Sequence, residues 1–257
     1  MLREGRAGAG TSSESRFVVE YARTMGELRE AQRLRYAVFA EEMGARLTGP
    51  ERGVDEDRFD AFCDHLLVRD ATRGEVVGIY RILSPDAARE AGGCYSSQEF
   101  DLARVEHLLP RAVELGRSCI HPDHRTGAVV SLLWGGLADY MIRGGYEYLI
   151  GCASVGLVDG GHSAAAVYRE IAARHLAPLE YRVFPRCPLP LAELDADVPG
   201  AVPPLLKGYL RLGAWVGGEP AWDPDFNTAD LFILMPLARA NPRYLRHYLG
   251  SGHALAA

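Results

Sequence analysis

None of the five cysteines, Cys63, Cys94, Cys119, Cys152 and Cys187, is spaced as a CxxC pair. That argues against a zinc ribbon and a dithiol redox motif, and scattered single thiols fit a reducing compartment. The chain also lacks GxGxxG after its first strand, a P-loop, GxSxG and HExxH. Dinucleotide, serine-hydrolase and zincin chemistry are therefore without their signatures, and no metal site is expected. There is no basic excess. The formal net charge of -6 argues against a general nucleic-acid binder, so no nucleic-acid partner is expected. No apolar run is long enough to span a bilayer, and the nearest, AVVSLLWGGLADYMI, carries Asp139 and several glycines. The opening MLREGRAGAGTSSES has no apolar h-region, so residues 1–15 are expected to be a disordered tail rather than a secretory signal. What remains is a chain of 257 residues with 48% hydrophobic content, enough to bury a sizeable core.

Strands and helices alternate along it. Arg16 to Tyr21 reads as a strand. Thr24 then offers an N-cap with Glu27 three residues on, the spacing of a capping box. Leu28, Ala31, Gln32, Arg35 and Phe39 follow at helical spacing. The polar, acidic stretch GPERGVDEDRFDAFCDH reads as a loop. HLLVRD and VVGIYRIL read as strands joined by a turn through Thr72, Arg73 and Gly74. Arg111 to Ile120 reads as a strand, residues 128 to 143 as a helix, YEYLIGCAS as a strand, GHSAAAVYREIAARH as a helix and EYRVFP as a strand. From LLKGY onward a short helix and two strands are expected, then a closing helix in PRYLRHYLG. The expected fold is α/β: one mixed sheet flanked by helices, a core over residues 16–190, and a C-terminal extension over 191–257 packed on it.

Charged side chains occur where strands would bury them. Arg81 falls in phase with Val77 and Ile79, and Glu114 and Arg117 sit in VELGRSCI. Such groups are rarely buried unless paired. A regular strand puts Glu114 and Arg117 on opposite faces, because their separation is odd. A bulge at Leu115–Gly116 would return them to one face, and glycine permits it. Without further context the strand reads as readily as a structural ion pair or a solvated edge as it does as a functional site. Composition alone makes Asp55, Asp57 and Asp60 a solvated loop.

The order of these pieces resembles the GNAT-type N-acyltransferases, and within them the carrier-protein-using branch that includes the acyl-homoserine-lactone synthases. RLRYAVF is similar to their first-helix motif at Arg35 and Phe39. DEDRFD is similar to their acidic motif, with Asp55 where the synthases carry a Glu, then Asp57 and Asp60. GIYRIL matches at Arg81, and ELGRSCI matches a Glu-x-x-Arg strand at Glu114 and Arg117. A nearer resemblance, to the L-ornithine N-alpha-acyltransferases of lyso-ornithine lipid synthesis, runs through FDAFCDHLLVRD, VELGRSCIHPDHRTGAVVSLLWGGLADY and LLKGYLRLGAWVGGEPAWDPDFNTADLFILMPL. The loop His124-Arg125-Thr126-Gly127-Ala128 resembles a reduced form of the pyrophosphate cradle of coenzyme-A users.

The resemblance implies transfer of a long-chain, 3-hydroxylated acyl group from acyl carrier protein to the α-amine of ornithine, with no permanently bound cofactor. The phosphopantetheine thioester would be the donor. Glu114 is the implied base, with Arg117 beside it. Arg35, Arg81 and Arg117 are candidates to clamp the α-carboxylate, and Asp55, Asp57 and Asp60 to receive the δ-ammonium. Cys119, Ile120, His121, Arg125 and Gly127 are expected along the pantetheine arm, with His121, His124 and Arg125 facing an acidic carrier protein. Leu149, Ile150 and Ala153 are candidates for the acyl channel. Asp159 and His162 form a second candidate base and substrate-binding pair. Arg211, Arg243, Arg246 and His247, with Tyr244 and Tyr248, offer a basic face to an anionic membrane. A cytoplasmic protein, at most peripheral at the inner face of the membrane, is expected. Three competing functions stay open: another N-acyl amino acid synthase, an acyl-homoserine-lactone synthase, and a non-catalytic acyl or carrier-protein binder.

Overall fold

The computed structural model describes residues 16–47, 49 and 51–240. The 1–15 tail, the expected final helix and the basic residues after position 240 lie outside the described residues. Strand β1 (Phe17–Tyr21) leads into α1 (Met25–Tyr36), whose start has the expected capping box: Thr24 accepts the Glu27 N–H, and the Glu27 carboxylate accepts the Thr24 N–H. The helix runs on as a π-helical stretch, Ala37–Glu42, which carries Phe39. Next come β2 (Asp64–Asp70), β3 (Glu75–Leu83), α2 (Pro85–Glu90), α3 (Ser96–Glu99), β4 (Phe100–Asp101) and β5 (Ala112–Ile120). Helix α4 (Gly127–Gly144), β6 (Tyr148–Gly156) and α5 (His162–His175) follow. The chain then adds β7 (Phe184–Pro185), α6 (Pro204–Leu212), β8 (Trp215–Val216), β9 (Ala221–Asp223) and β10 (Thr228–Pro236).

One mixed sheet runs in the order β1-β2-β3-β5-β6-β10-β8, with β9 on β10. Only β5 and β6 are parallel; the other ladders are antiparallel. The segment beyond residue 190 supplies β10, which pairs with β6 over nine positions inside the sheet. EYRVFP, expected as a strand, yields only the two residues of β7, which pair with β4 apart from the main sheet. Pro178, Pro185, Pro188 and Pro190 crowd this segment, and proline cannot donate to a ladder.

Both faces are covered. Tyr80, Ile82, Val113 and Leu115 point into a core shared with Leu133 and Leu137 of α4, Val167 and Ile171 of α5, and Leu206 and Leu212 of α6. On the other face Ile79, Leu67 and Cys119 pack with Ala31 and Leu34 of α1. Leu83, Ile150, Phe232 and Leu234 pack there with Phe59, Phe100 and Val105. Val77 joins the α4 side, not the side of Arg81, because a register shift in the β2–β3 ladder interrupts the alternation. Arg81 and Glu114 therefore share the face covered by α1, α3 and the loop before β2.

Candidate active site

Strand β5 places the site. Along β3, Leu83 pairs with Glu114 and Arg81 with Gly116, yet Ile79 pairs with Cys119. Arg117 and Ser118 thus oppose the single residue Tyr80, so the bulge lies two residues beyond the expected Leu115–Gly116. Its left-handed residue is Arg117 itself, with φ of 47°. A long side chain in that region is costly unless its surroundings fix it. Here the guanidinium is held by Asp55 at 3.2 Å and Asp57 at 3.1 Å, and it lies over the rings of Tyr95 and Phe226. The bulge brings Arg117 to the face of Glu114, as expected, by a different residue.

The other edge of β5 opens. β5 and β6 pair from Ala112 with Tyr148 to Leu115 with Gly151, and then no longer pair with each other. Both strands continue, to Ile120 and Gly156, leaving two facing edges outside any shared ladder. Gly151 marks the parting. A Cβ there would stand 2.4 Å from the Leu115 carbonyl oxygen, so only glycine allows the close approach.

Beside this fork lies a closed ion network. Arg35, fully buried, binds Asp55 at 2.7 Å and Asp60 at 2.8 Å. Arg81 binds Asp57 at 2.6 Å and Asp60 at 2.9 Å. Gln32 and the Asp57 N–H also reach Asp60. Three aspartates thus balance three arginines, and the guanidiniums hold the Asp60 and Asp57 carboxyls below the usual carboxylate range. Asp55 and Asp60 are buried, so the solvated-loop reading of this run does not apply. Asp60 has no oxygen left for an incoming ammonium. Arg35 and Arg81 are committed to these carboxylates, and of the three arginines only Arg117 lines the large cleft described below.

Glu114 is buried, and its carboxylate accepts the Tyr95 N–H at 2.6 Å, the Ser96 N–H at 2.7 Å and the Ser96 hydroxyl at 2.5 Å. Burial pushes this carboxyl up from its ordinary value, against three donors that favour the charged form. A cavity of about 10 Å³, room for about one water, is lined by Glu114, Arg81, Gly116, Tyr95 and Phe59. Burial pushes the nearby Cys63 thiol up to about 12 and Cys152 well above its ordinary value, which favours the thiol over the thiolate.

Tyr95 and Phe59 also line a second, open cleft of about 350 Å³. It holds six carboxylates (Asp55, Glu56, Asp57, Glu99, Asp223 and Asp225) against three guanidiniums (Arg46, Arg58 and Arg117). Phe39 packs edge-on against Phe226 at 5.7 Å, so it braces the ring beneath Arg117 and does not line the cleft. Tyr95, Glu99, Asp223 and Phe226 escape the sequence reading. The last two sit in WDPDFN, which looks like an ordinary turn.

The remaining candidates fall elsewhere. Asp159 caps the Gly161 and Ser163 N–H groups, and His162 Nδ1 accepts the Asp195 N–H. They sit just before and at the start of α5, which packs on the face opposite Glu114. Leu149 and Ala153 belong to the α4-side core and Ile150 to the other core, all closely packed. In the loop, Cys119 is buried and Ile120 half-buried. His121 is half-buried, and His124 turns inward, 3.6 Å from Asp70. Arg125 is bidentate to Glu42, at 2.7 and 2.5 Å. The loop's outward positive charge is therefore smaller than its composition suggests. Gly127 opens α4, whose N-terminus has no side-chain cap. Among the described residues there is no group of acidic, histidine and cysteine side chains able to hold a metal ion, and no helix is long and apolar enough to cross a membrane.

The acetyltransferase (GNAT) domain family model matches residues 34–135. The L-ornithine N(alpha)-acyltransferase of Rhodobacter capsulatus is 40% identical over 90% of this chain and 94% of its own length. That of Rhizobium meliloti is 39% identical over 88% and 82%. The chain belongs to the L-ornithine N(alpha)-acyltransferase family. It is an N-acyltransferase with a GNAT-like fold. Solved structures support that fold. The AHL synthase LasI superposes with a TM-score of 0.54 at 16% identity, over 92% of this chain and 96% of its own. FeeM, an N-acyl amino acid synthase from uncultured soil microbes, gives 0.52 at 13%, over 87% and 92%.

Proposed function

We propose that the protein transfers a long-chain, 3-hydroxylated fatty acyl group from acyl carrier protein to the α-amine of L-ornithine, giving lyso-ornithine lipid. The observation that carries this reading is the buried Glu114 carboxylate on β5 immediately before β5 and β6 part. The names of the relatives at 36–40% identity supply the acceptor. The donor and its 3-hydroxyl group come from the family resemblance in the sequence.

A thioester lying in the fork has backbone groups on both sides. The pantetheine phosphate sits at the uncapped start of α4, where first-turn N–H groups and the helix dipole favour an anion. The acceptor enters through the 350 Å³ cleft, its α-carboxylate on Arg117. An α-ammonium with a free pKa of about 8 needs only on the order of 1–2 kcal/mol to lose its proton near neutrality. Glu114 takes that proton, directly or through one water. The amine lone pair attacks the thioester carbon, the new C–N bond forms, the C–S bond breaks, and the thiolate leaves to be protonated. No cofactor is consumed. The donor places the reaction in the cytoplasm, and its lipid product places it at the inner face of the membrane.

The test is an acyl-transfer assay with purified protein, 3-hydroxypalmitoyl-carrier protein and a panel of amino acids, read by mass spectrometry. N-acyl-ornithine that disappears in Glu114→Ala is the expected result. Product on another amino acid keeps the chemistry and corrects the acceptor. Carrier-protein binding without product on any amine refutes the reading.

A further inference from the structure

The large cleft carries a second set of carboxylates with no arginines of their own. Asp223 ends β9 and is 6% exposed. Its Oδ1 accepts the Asp225 and Phe226 N–H groups, and among the described residues its other oxygen accepts no hydrogen bond. Glu99 ends α3 and is half-buried, and among the described residues its carboxylate has neither hydrogen bond nor ion pair. Behind them Asp230 of β10 is 4% exposed and is bonded only to neutral groups such as the Thr228 hydroxyl. Among the described residues no cation is ion-paired with any of the three. Arg117, the cation they feel, is already shared by Asp55 and Asp57. Burial and mutual repulsion push Glu99 up to about 7 and Asp230 up to about 6.

The Arg35 network is built differently. There each buried aspartate has its guanidinium. Here buried negative charge is left uncompensated, an arrangement that costs stability unless a cation arrives. The acceptor proposed above carries such a cation, a side-chain ammonium charged at neutral pH. The scale also fits. Helix α3 binds Glu114 through Ser96 and carries Glu99 three residues on, a rise of about 4.5 Å. The two amines of ornithine are five bonds apart, about 6 Å when extended.

We propose that Asp223 and Glu99, backed by Asp230, form the subsite for the acceptor's side-chain ammonium and set its specificity. The proposal rests on the acceptor reading above. It replaces Asp55, Asp57 and Asp60, whose charge the arginines consume.

The test uses the full chain, the same donor, and two acceptors: ornithine and norvaline, which has the same carbon skeleton without the second amine. Wild type should prefer ornithine. In Asp223→Asn, which keeps the oxygen that caps the turn, and in Glu99→Gln, that preference in kcat/KM should fall roughly 10- to 100-fold through KM for ornithine. The norvaline rate should be retained, which also shows that the fold, the base and the donor site are intact. If Asp223→Asn does not fold, Glu99→Gln decides alone, since among the described residues its carboxylate holds no hydrogen bond or ion pair to lose. An unchanged ratio in folded variants overturns the proposal while leaving the acceptor reading in place. So does a wild type indifferent between ornithine and norvaline. A wild type that acylates neither overturns both.

Discussion

Replacing Glu114 by Gln tests whether this carboxylate is a base or only an anchor. The geometry predicts the size of both effects. Oε1 accepts the Ser96 N–H and hydroxyl, and Oε2 accepts the Tyr95 N–H. A glutamine keeps its oxygen toward Ser96 and turns its NH₂ toward the Tyr95 N–H, so two donors meet in a buried place. One unsatisfied buried donor costs about 1–3 kcal/mol. Urea unfolding should report that loss, and the variant should stay folded. A positioned proton acceptor contributes roughly 10²–10⁴-fold in rate. Single-turnover transfer at saturating acceptor should therefore fall by that factor in Glu114→Gln. Ser96→Ala supplies the control that a purely structural role does not move. It removes a donor that stabilises the charged carboxylate while sparing both backbone N–H bonds. The Glu114 carboxyl should rise further, and the acid limb of the pH–rate profile should shift to higher pH. Transfer within about threefold of wild type in folded Glu114→Gln, with an unmoved limb in Ser96→Ala, refutes the assignment of Glu114 as base.

Other perturbations address the frame around it. Asp60→Ala strips a shared partner from the buried Arg35 and Arg81 and should cost about 3–5 kcal/mol in chemical denaturation; less than 1 kcal/mol would mean the network is solvent-screened. Gly151→Ala drives a Cβ to 2.4 Å from the Leu115 carbonyl and should destabilise by about 1–3 kcal/mol while raising KM for the donor. An unchanged donor KM would separate the fork from thioester binding. Asp57 and Asp60 titrate below the ordinary carboxylate value of 3.8, so their contribution to stability is present above that value and is lost as pH falls through their folded range. Glu99 and Asp230 have the opposite sign. Their folded values of about 7 and about 6 exceed the ordinary 4.5 and 3.8, so they favour the fold at low pH and lose that contribution as pH rises to neutrality. Thermal melts should therefore show ornithine stabilising the protein more at pH 8 than at pH 5, and equal shifts at both would contradict the ammonium subsite.

The elements legible in the sequence are those fixed by local rules. The Thr24–Glu27 box sets the start of α1, and the apolar runs set β2, β3 and β6. Glu114 and Arg81 are legible because a charge inside an apolar strand demands a partner. The partners are not legible, since Asp57 and Asp60 come to Arg81 from a loop with no period. Asp230 gives the same signal as Arg81, an acid in phase with Phe232 and Leu234 in TADLFILM. What the signal lacks is its neighbours: Glu99 and Asp223 meet it only because β10 inserts beside β6 and α3 lies over that face. The bulge moved to Arg117 for a related reason. Long-range ion pairs hold its backbone in a region that local preference would assign to Gly116.

The two sets of carboxylates have different work because the two amines of the proposed acceptor have different fates. The side-chain ammonium is the same in substrate, transition state and product. In the proposed subsite Glu99 and Asp223 would therefore bind all three equally, and such uniform binding lowers KM without lowering the barrier. The α-amine changes from cation to neutral nucleophile to amide. Only a group whose charge state answers that change acts on the barrier, and Glu114, buried and held by three donors beside the fork, is placed to do so. The arginine network must not answer it. In the proposed mechanism a balanced set of fixed charges around Arg117 would hold the acceptor's carboxylate still while the proton moves, without reorganising in the transition state. Loss of ornithine preference through KM and loss of rate through kcat should then separate cleanly, the first in Asp223 and Glu99 variants and the second in Glu114 variants.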